Sequence, residues 1–176
     1  MKLIKYVMIA GVVSLAACGG GDESKKADQP AEESKTETPA QPSTETTASA
    51  SDAAVLEIAG NDLMKFDKAE LRAKAGQKVK ITLHHAGKLA KEAMGHNLVI
   101  LKSGTDIAAF AAKAVDAKAT DYIPASESAN IIAHTKLIGG GESDTIEFTA
   151  PAAGTYPFIC SFPGHYGFMK GEFIVE

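Results

Sequence analysis

The chain has 176 residues and a formal net charge of −4, with 18 basic against 22 acidic side chains. Such a balance argues against nucleic-acid binding, which needs a basic patch. Only two cysteines are present, Cys18 and Cys160, and Trp is absent.

Taken in order, the chain opens with "MKLIKYVMIAGVVSLAAC". Lys2 and Lys5 precede an apolar stretch from Tyr6 to Leu15 and then small residues, the layout of a signal peptide over 1–17. The stretch is too short and wrongly flanked for a spanning helix. "LAAC" at 15–18 resembles a bacterial lipoprotein cleavage box. The resemblance implies cleavage before Cys18 and lipid on that residue, with the outer membrane as destination because Gly19 is not the Asp of inner-membrane retention. A plain secretory signal with an incidental Cys18 is the alternative. If lipidated, Cys18 cannot pair with Cys160, which then stands as a free thiol in an oxidising compartment.

Residues 19–54 contain no Val, Ile, Leu, Met, Phe or Tyr. With nothing to bury that offsets its ordering entropy, the lipidated start and linker over 18–54 is expected to be a disordered tether. As a flexible coil it spans roughly 30–36 Å, and at full stretch about 120–130 Å. Eight acidic residues against three Lys give the linker about five negative charges, which leaves the remaining domain near −1. That domain, 55–176, is the common size of one folded unit and is expected to be monomeric.

Short strands are predicted along it at 54–58, 78–85, 96–101, 144–149, 155–160 and 171–176. "KVKITLHH" alternates in the manner of a half-buried strand, while "HNLVIL" reads as a buried one. The turn signals "KAGQK", "HAGK", "IGGGESD" and "PAAGT" lie between them. The Ala-rich segment 105–119 is predicted as one inserted helix, with Thr105 as N-cap and Ile107, Phe110, Ala111 and Ala114 on one side. Many short strands with one helix predict an all-β sandwich or barrel.

The stretch "CSFPGHYGFMKG" at 160–171 carries the chemistry. Cys160 ends a strand, Pro163 and Gly164 turn the chain, and His165 and Met169 follow within one loop. Singly, Cys160 reads as a buried structural thiol and Met169 as core filler. Together with a second imidazole they form the set of one thiolate, two imidazoles and a weak thioether that suits copper in both oxidation states. "MGHN" at 94–97 is the best source of that imidazole, His96. Gly95 there allows close backbone approach, so its carbonyl is a candidate weak axial ligand. Asn97 is a candidate to hold loops together or to hydrogen-bond the thiolate. His84 and His134 read as surface or packing residues.

These two motifs resemble the azurin family of blue copper proteins, and the gaps in Cys160-x4-His165-x3-Met169 are the family's. "GNDLMKFD" at 60–67, "LHHAGKLAKEAMGHN" at 83–97 and "IIAHTKLIGGGESDTIEF" at 131–148 extend the likeness across nearly all of 55–176. With the lipoprotein start and the linker, the chain is similar to the outer-membrane lipoprotein form of azurin.

The resemblance implies a cupredoxin-like Greek-key β-sandwich holding one type 1 copper ion. His96, Cys160 and His165 would be equatorial ligands, with Met169 and the Gly95 carbonyl axial. His85 would be a titrating histidine behind the ligands, and Phe162 would lie beside them. Met64, Leu89, Met94, Phe162 and Gly164 would surround the exposed edge of His165, where redox partners dock. It further implies electron transfer from cytochrome donors to a reductase or peroxidase acceptor, with the lipid at Cys18 tethering the protein to the outer membrane.

Two departures stand out: the domain lacks the family's disulfide, about 2–4 kcal/mol of cross-link, and Leu98 follows "GHN" where relatives often have Trp. Two other functions fit the same residues less well. A copper oxidase or nitrite reductase needs an open coordination position or a second metal site. A storage or binding module would hold metal without reversible redox chemistry.

Overall fold

The computed structural model describes residues 53–176. The expected leader, the lipidation site at Cys18 and the linker as far as residue 52 lie outside the described residues. Strand β1 (Ala54–Asn61) is followed by β2 (Lys65–Phe66), β3 (Glu70–Ala73) and β4 (Lys78–His85). Next come a one-turn helix α1 (Lys91–Met94), β5 (Val99–Leu101) and α2 (Ile107–Val115). Two 3-10 turns, Lys118–Thr120 and Ala125–Asn130, lead to β6 (Ile131–His134), β7 (Ser143–Thr149), β8 (Gly154–Ile159) and β9 (Lys170–Val175).

The strands form two mixed sheets, one in the order β2-β1-β4-β7 and one in the order β3-β9-β8-β5-β6. The β1–β4 and β3–β9 pairs are parallel and the other pairs antiparallel. Alternation decides which face turns inward. Along β4, Val79, Ile81, Leu83 and His85 are buried, while Lys78 and Lys80 are exposed. Ile58, Ile81 and Leu83 of the first sheet share one core with Ile100, Phe158 and Phe173 from the second and with Leu98, just before β5. Each such side chain contributes about 1.5–3 kcal/mol by leaving water. The result is the expected sandwich.

Strand β5 has apolar side chains on both faces because both are covered. Ile100 enters the main core. Val99 and Leu101 pack with Phe110 of α2, Ile123 and Ile159 on the outer side of the second sheet. A strand buried on both faces reads as a continuous apolar run, which is what the sequence shows.

The inserted helix differs from expectation at both ends. Its N-cap is Asp106, whose carboxylate accepts the Ala109 N–H at 3.0 Å. The Thr105 hydroxyl instead donates to the Lys102 carbonyl at 2.8 Å. The helix stops at Val115, and the chain bends so that Asp121 and Tyr122, both at positive φ, present their carbonyls to the site described below. Strands β2, β3 and β6 fall outside the sequence prediction; β2 has only two residues, and β3 alternates over only four. The predicted strand at 96–101 begins its ladder at Val99, while His96 makes an isolated bridge with Ile138.

Candidate metal centre

Cys160 follows directly on β8, and Met169 immediately precedes β9. The Cys160 N–H donates to the Met169 carbonyl at 2.9 Å, closing the loop at its base. Inside it, the Met169 N–H donates to the His165 carbonyl at 2.8 Å and the His165 N–H to the Phe162 carbonyl at 3.0 Å. Gly164 takes φ +84°, a left-handed conformation suited to glycine. One short loop thereby brings three donor side chains to one end of the sandwich, and all three are buried.

The fourth donor comes from the segment just before β5, the strand paired with β8. His96 is held by a two-way backbone bridge to Ile138, with N···O distances of 3.0 and 2.9 Å. Its Nε2–H donates to the Asn61 carbonyl at 2.9 Å, which leaves Nδ1 as the free lone pair. The Cys160 Sγ lies 4.0 Å from His96 Nδ1, 3.6 Å from His165 Nδ1 and 3.9 Å from the Gly95 carbonyl oxygen. One donor atom from each of the three residues falls within 4.8 Å of the other two. Gly95 is confined: a Cβ there would stand 2.5 Å from the Lys91 carbonyl oxygen and 2.9 Å from Leu137.

Burial sets the protonation states. It pushes the Cys160 thiol up to about 12, against the backbone N–H groups of Asn97 and Phe162, which pull it down. It also holds His165 down to about 4, helped by the nearby His96 and His85 rings. Burial lowers His96 as well, opposed by its bond to the Asn61 carbonyl. At neutral pH both imidazoles therefore keep their lone pairs, and the thiol keeps its proton until a metal ion replaces it.

The Asn97 side chain holds loops together and leaves the sulfur to backbone donors. Its Oδ1 accepts the Ser161 N–H at 2.8 Å, and its Nδ2 donates to the Asp121 carbonyl at 2.9 Å. The Ser161 hydroxyl donates to the Tyr122 carbonyl at 2.8 Å. His85 stacks on His96 with ring centroids 4.3 Å apart, its Nε2 on the Met94 carbonyl and its Nδ1 accepting the Gly87 N–H. The Phe162 ring lies 4.6 Å from that of His165. Met64 and Met94 are half-buried, Gly164 is exposed and Leu89 is 44 % exposed.

Several contributors were missed in the sequence. Gly60 packs so closely that a Cβ would stand 2.8 Å from the His96 ring and 3.1 Å from the Met169 methyl. Asn61 acts through its carbonyl, a group every residue has, so no side-chain signal exists. Leu63 and Phe168 are 73 % and 70 % exposed on the turn beside Asn61 and on the ligand loop. With Leu89 they are three of the five large exposed apolar side chains among the described residues. His84, half-buried, bonds Ser143 through Nδ1, and exposed His134 contacts the Thr135 carbonyl; neither is among the metal donors.

A thiol, two imidazole Nδ1 atoms and a buried thioether, at one end of a β-sandwich, define a blue (type 1) copper protein. The donor set fits copper: structural zinc sites take several thiolates or two with two imidazoles, and make no use of a thioether. The chain belongs to the copper binding proteins of the plastocyanin/azurin family, whose profile matches residues 53–176, and its cofactor is copper. Azurin-1 of Alcaligenes xylosoxydans xylosoxydans is 43 % identical over 120 residues, covering 66 % of this chain and 92 % of that protein. Outer membrane protein H.8 of Neisseria gonorrhoeae is 42 % identical over 118 residues, 65 % of this chain and 63 % of that protein. Among solved structures, auracyanin A, a "blue" copper protein of Chloroflexus aurantiacus, is 38 % identical with a TM-score of 0.65. That match covers 71 % of this chain and 100 % of the other. The cupredoxin fold implied by the sequence resemblance is thus the fold of this protein.

Proposed function

We propose that this member of the blue copper electron-transfer family is a one-electron carrier and not an enzyme, held at the outer membrane by lipid on Cys18. It would take electrons from cytochrome-type donors and deliver them to a terminal reductase or peroxidase. The observation that carries this reading is a prearranged, buried donor cage whose surrounding loops expose apolar side chains. Copper, when bound, supplies the one-electron couple. The chain's residues do the rest: Cys160 and His165 are fixed by loop hydrogen bonds, and His96 by its bridge and by Asn61. A cage that barely moves opposes transfer little. Leu89, Phe168 and Leu63 offer a small apolar surface of the kind that supports brief docking. The relative named as an outer membrane protein supports the location, and the tether would raise the effective concentration near membrane partners.

The test uses the full chain. Stopped-flow mixing with a soluble c-type cytochrome should show second-order electron exchange. Leu89→Glu should slow that exchange about ten-fold, while exchange with a small inorganic oxidant stays unchanged. Equal slowing with both reagents, or no exchange at all, overturns the carrier reading. Mass spectrometry of the membrane fraction should find acyl chains on Cys18, lost in Cys18→Ser. A soluble, unacylated wild-type protein overturns the tether.

A further inference from the structure

Behind His96 lies a second contact layer. The Asn61 carbonyl accepts two hydrogen bonds, one from His96 Nε2–H at 2.9 Å and one from the Met64 N–H at 3.0 Å. Met64 sits at φ +55°, so this turn is tightly wound. The next residue, Asp62, reaches away from the turn to the loop between β4 and α1. Its Oδ2 accepts the Lys88 N–H at 2.8 Å and its Oδ1 the Leu89 N–H at 3.3 Å. The loop has shaped itself around that carboxylate: a Cβ at Gly87 would stand 2.0 Å from Asp62 Oδ1. The same loop donates the Gly87 N–H to His85 Nδ1, and His85 is the ring stacked on His96. The Ala86 N–H closes the connection on the Gly60 carbonyl at 2.8 Å.

The geometry points to Asp62 as a positioning residue for the copper ligand His96. It clasps the 86–89 loop to the 61–64 turn, so that the Asn61 carbonyl and the His85 ring hold the His96 imidazole from two sides. The carbonyl fixes which nitrogen carries the proton, and the stacked ring fixes the plane. Nδ1 then faces the metal without searching. Groups that hold a ligand's second nitrogen tune metal affinity by about 10–100-fold, and Asp62 is placed to act through one of them. This inference rests on the copper reading of the site.

The test compares wild type, Asp62→Ala and Asp62→Asn in the full chain. Asn keeps one acceptor oxygen and so one of the two amide bonds, and it keeps the falsifiable case should the Ala variant fail to fold. In metal-free protein, the His96 Nε2–H proton should exchange with water at least about ten-fold faster in Asp62→Ala, with Asp62→Asn between. In copper-loaded protein, the thiolate-to-copper band and the copper hyperfine splitting should shift, and copper should dissociate about ten-fold faster to a chelator. A lower melting temperature with unchanged exchange, spectrum and dissociation would make Asp62 purely structural and overturn the proposal. A wild-type protein that binds no copper would overturn the copper site itself, and the clasp with it.

Discussion

Cys160 answers for the chemistry of the site, and its burial explains how it stays a thiol. With its pKa at about 12 the sulfur keeps its proton in the metal-free protein, so neutral-pH reactivity is suppressed. Copper binding must then displace that proton. In weakly buffered solution near neutral pH, a dye titration should record about one proton released per copper ion bound. Cys160→Ser should bind without release and without the intense blue band. Gly60 makes a second residue-level case. A methyl group there meets the His96 ring at 2.8 Å and the Met169 methyl at 3.1 Å, and neither can retreat within a packed core. Gly60→Ala should fold but bind copper more weakly, about ten-fold in a competition titration.

At the scale of elements, the second sheet and its helix serve different ends. Strands β8 and β9 set the spacing of Cys160 and Met169, whereas α2 covers the outer side of the sheet and supplies none of the donor side chains. Damage to α2 should therefore reduce stability and leave the copper spectrum alone. Removing the Asp106 cap by Asp106→Ala should cost about 1 kcal/mol in denaturant unfolding. Phe110→Ala should cost about 3–5 kcal/mol, with an unchanged blue band in the fraction that remains folded. The loop after α2 is another matter. Its Asp121 and Tyr122 carbonyls bind Asn97 and Ser161, so that stretch links the helix to the ligand-bearing loops.

The whole molecule carries a buried acid that makes its stability depend on pH. Glu127 is held by Lys113 of α2 and by Asn130, and these bonds keep its carboxyl below the ordinary value of 4.5. A carboxylate with a lowered folded-state pKa stabilises the fold fully above the unfolded value. That contribution is lost as the pH falls through the folded value. Chemical unfolding at stepped pH should show stability declining below 4.5 more steeply in wild type than in Glu127→Gln. Copper acts on the same balance from the other side. To the extent that the ordered donor set holds copper more tightly than the same side chains of the unfolded chain, loading stabilises the fold, with an upper bound of about 4 kcal/mol at a thousand-fold excess over the dissociation constant. The melting temperature should rise on loading in wild type and rise far less in Cys160→Ser.

Much of the fold was legible in the chain because it depends on local periodicity. The alternation of Val79, Ile81 and Leu83 and the unbroken run of Leu98 to Leu101 mark strands buried on one face and on two. The spacing of Cys160, His165 and Met169 is likewise local, so one loop's contribution to the metal site could be read directly. The partnership with His96 needed the sandwich, which carries a residue 64 positions away to 4.0 Å from the sulfur. Three features were decided by tertiary structure alone. The helix ends at Val115, and the chain beyond it turns so that the Asp121 and Tyr122 carbonyls bond Asn97 and Ser161. Gly60 is small because two ligands occupy the space its side chain would fill. The Asn61 carbonyl and the Asp62 clasp fix the tautomer and orientation of His96. Composition and spacing name the donors, since donor chemistry belongs to side chains. Their aim is set by backbone carbonyls, packed rings and the absence of a methyl group, which no residue type announces.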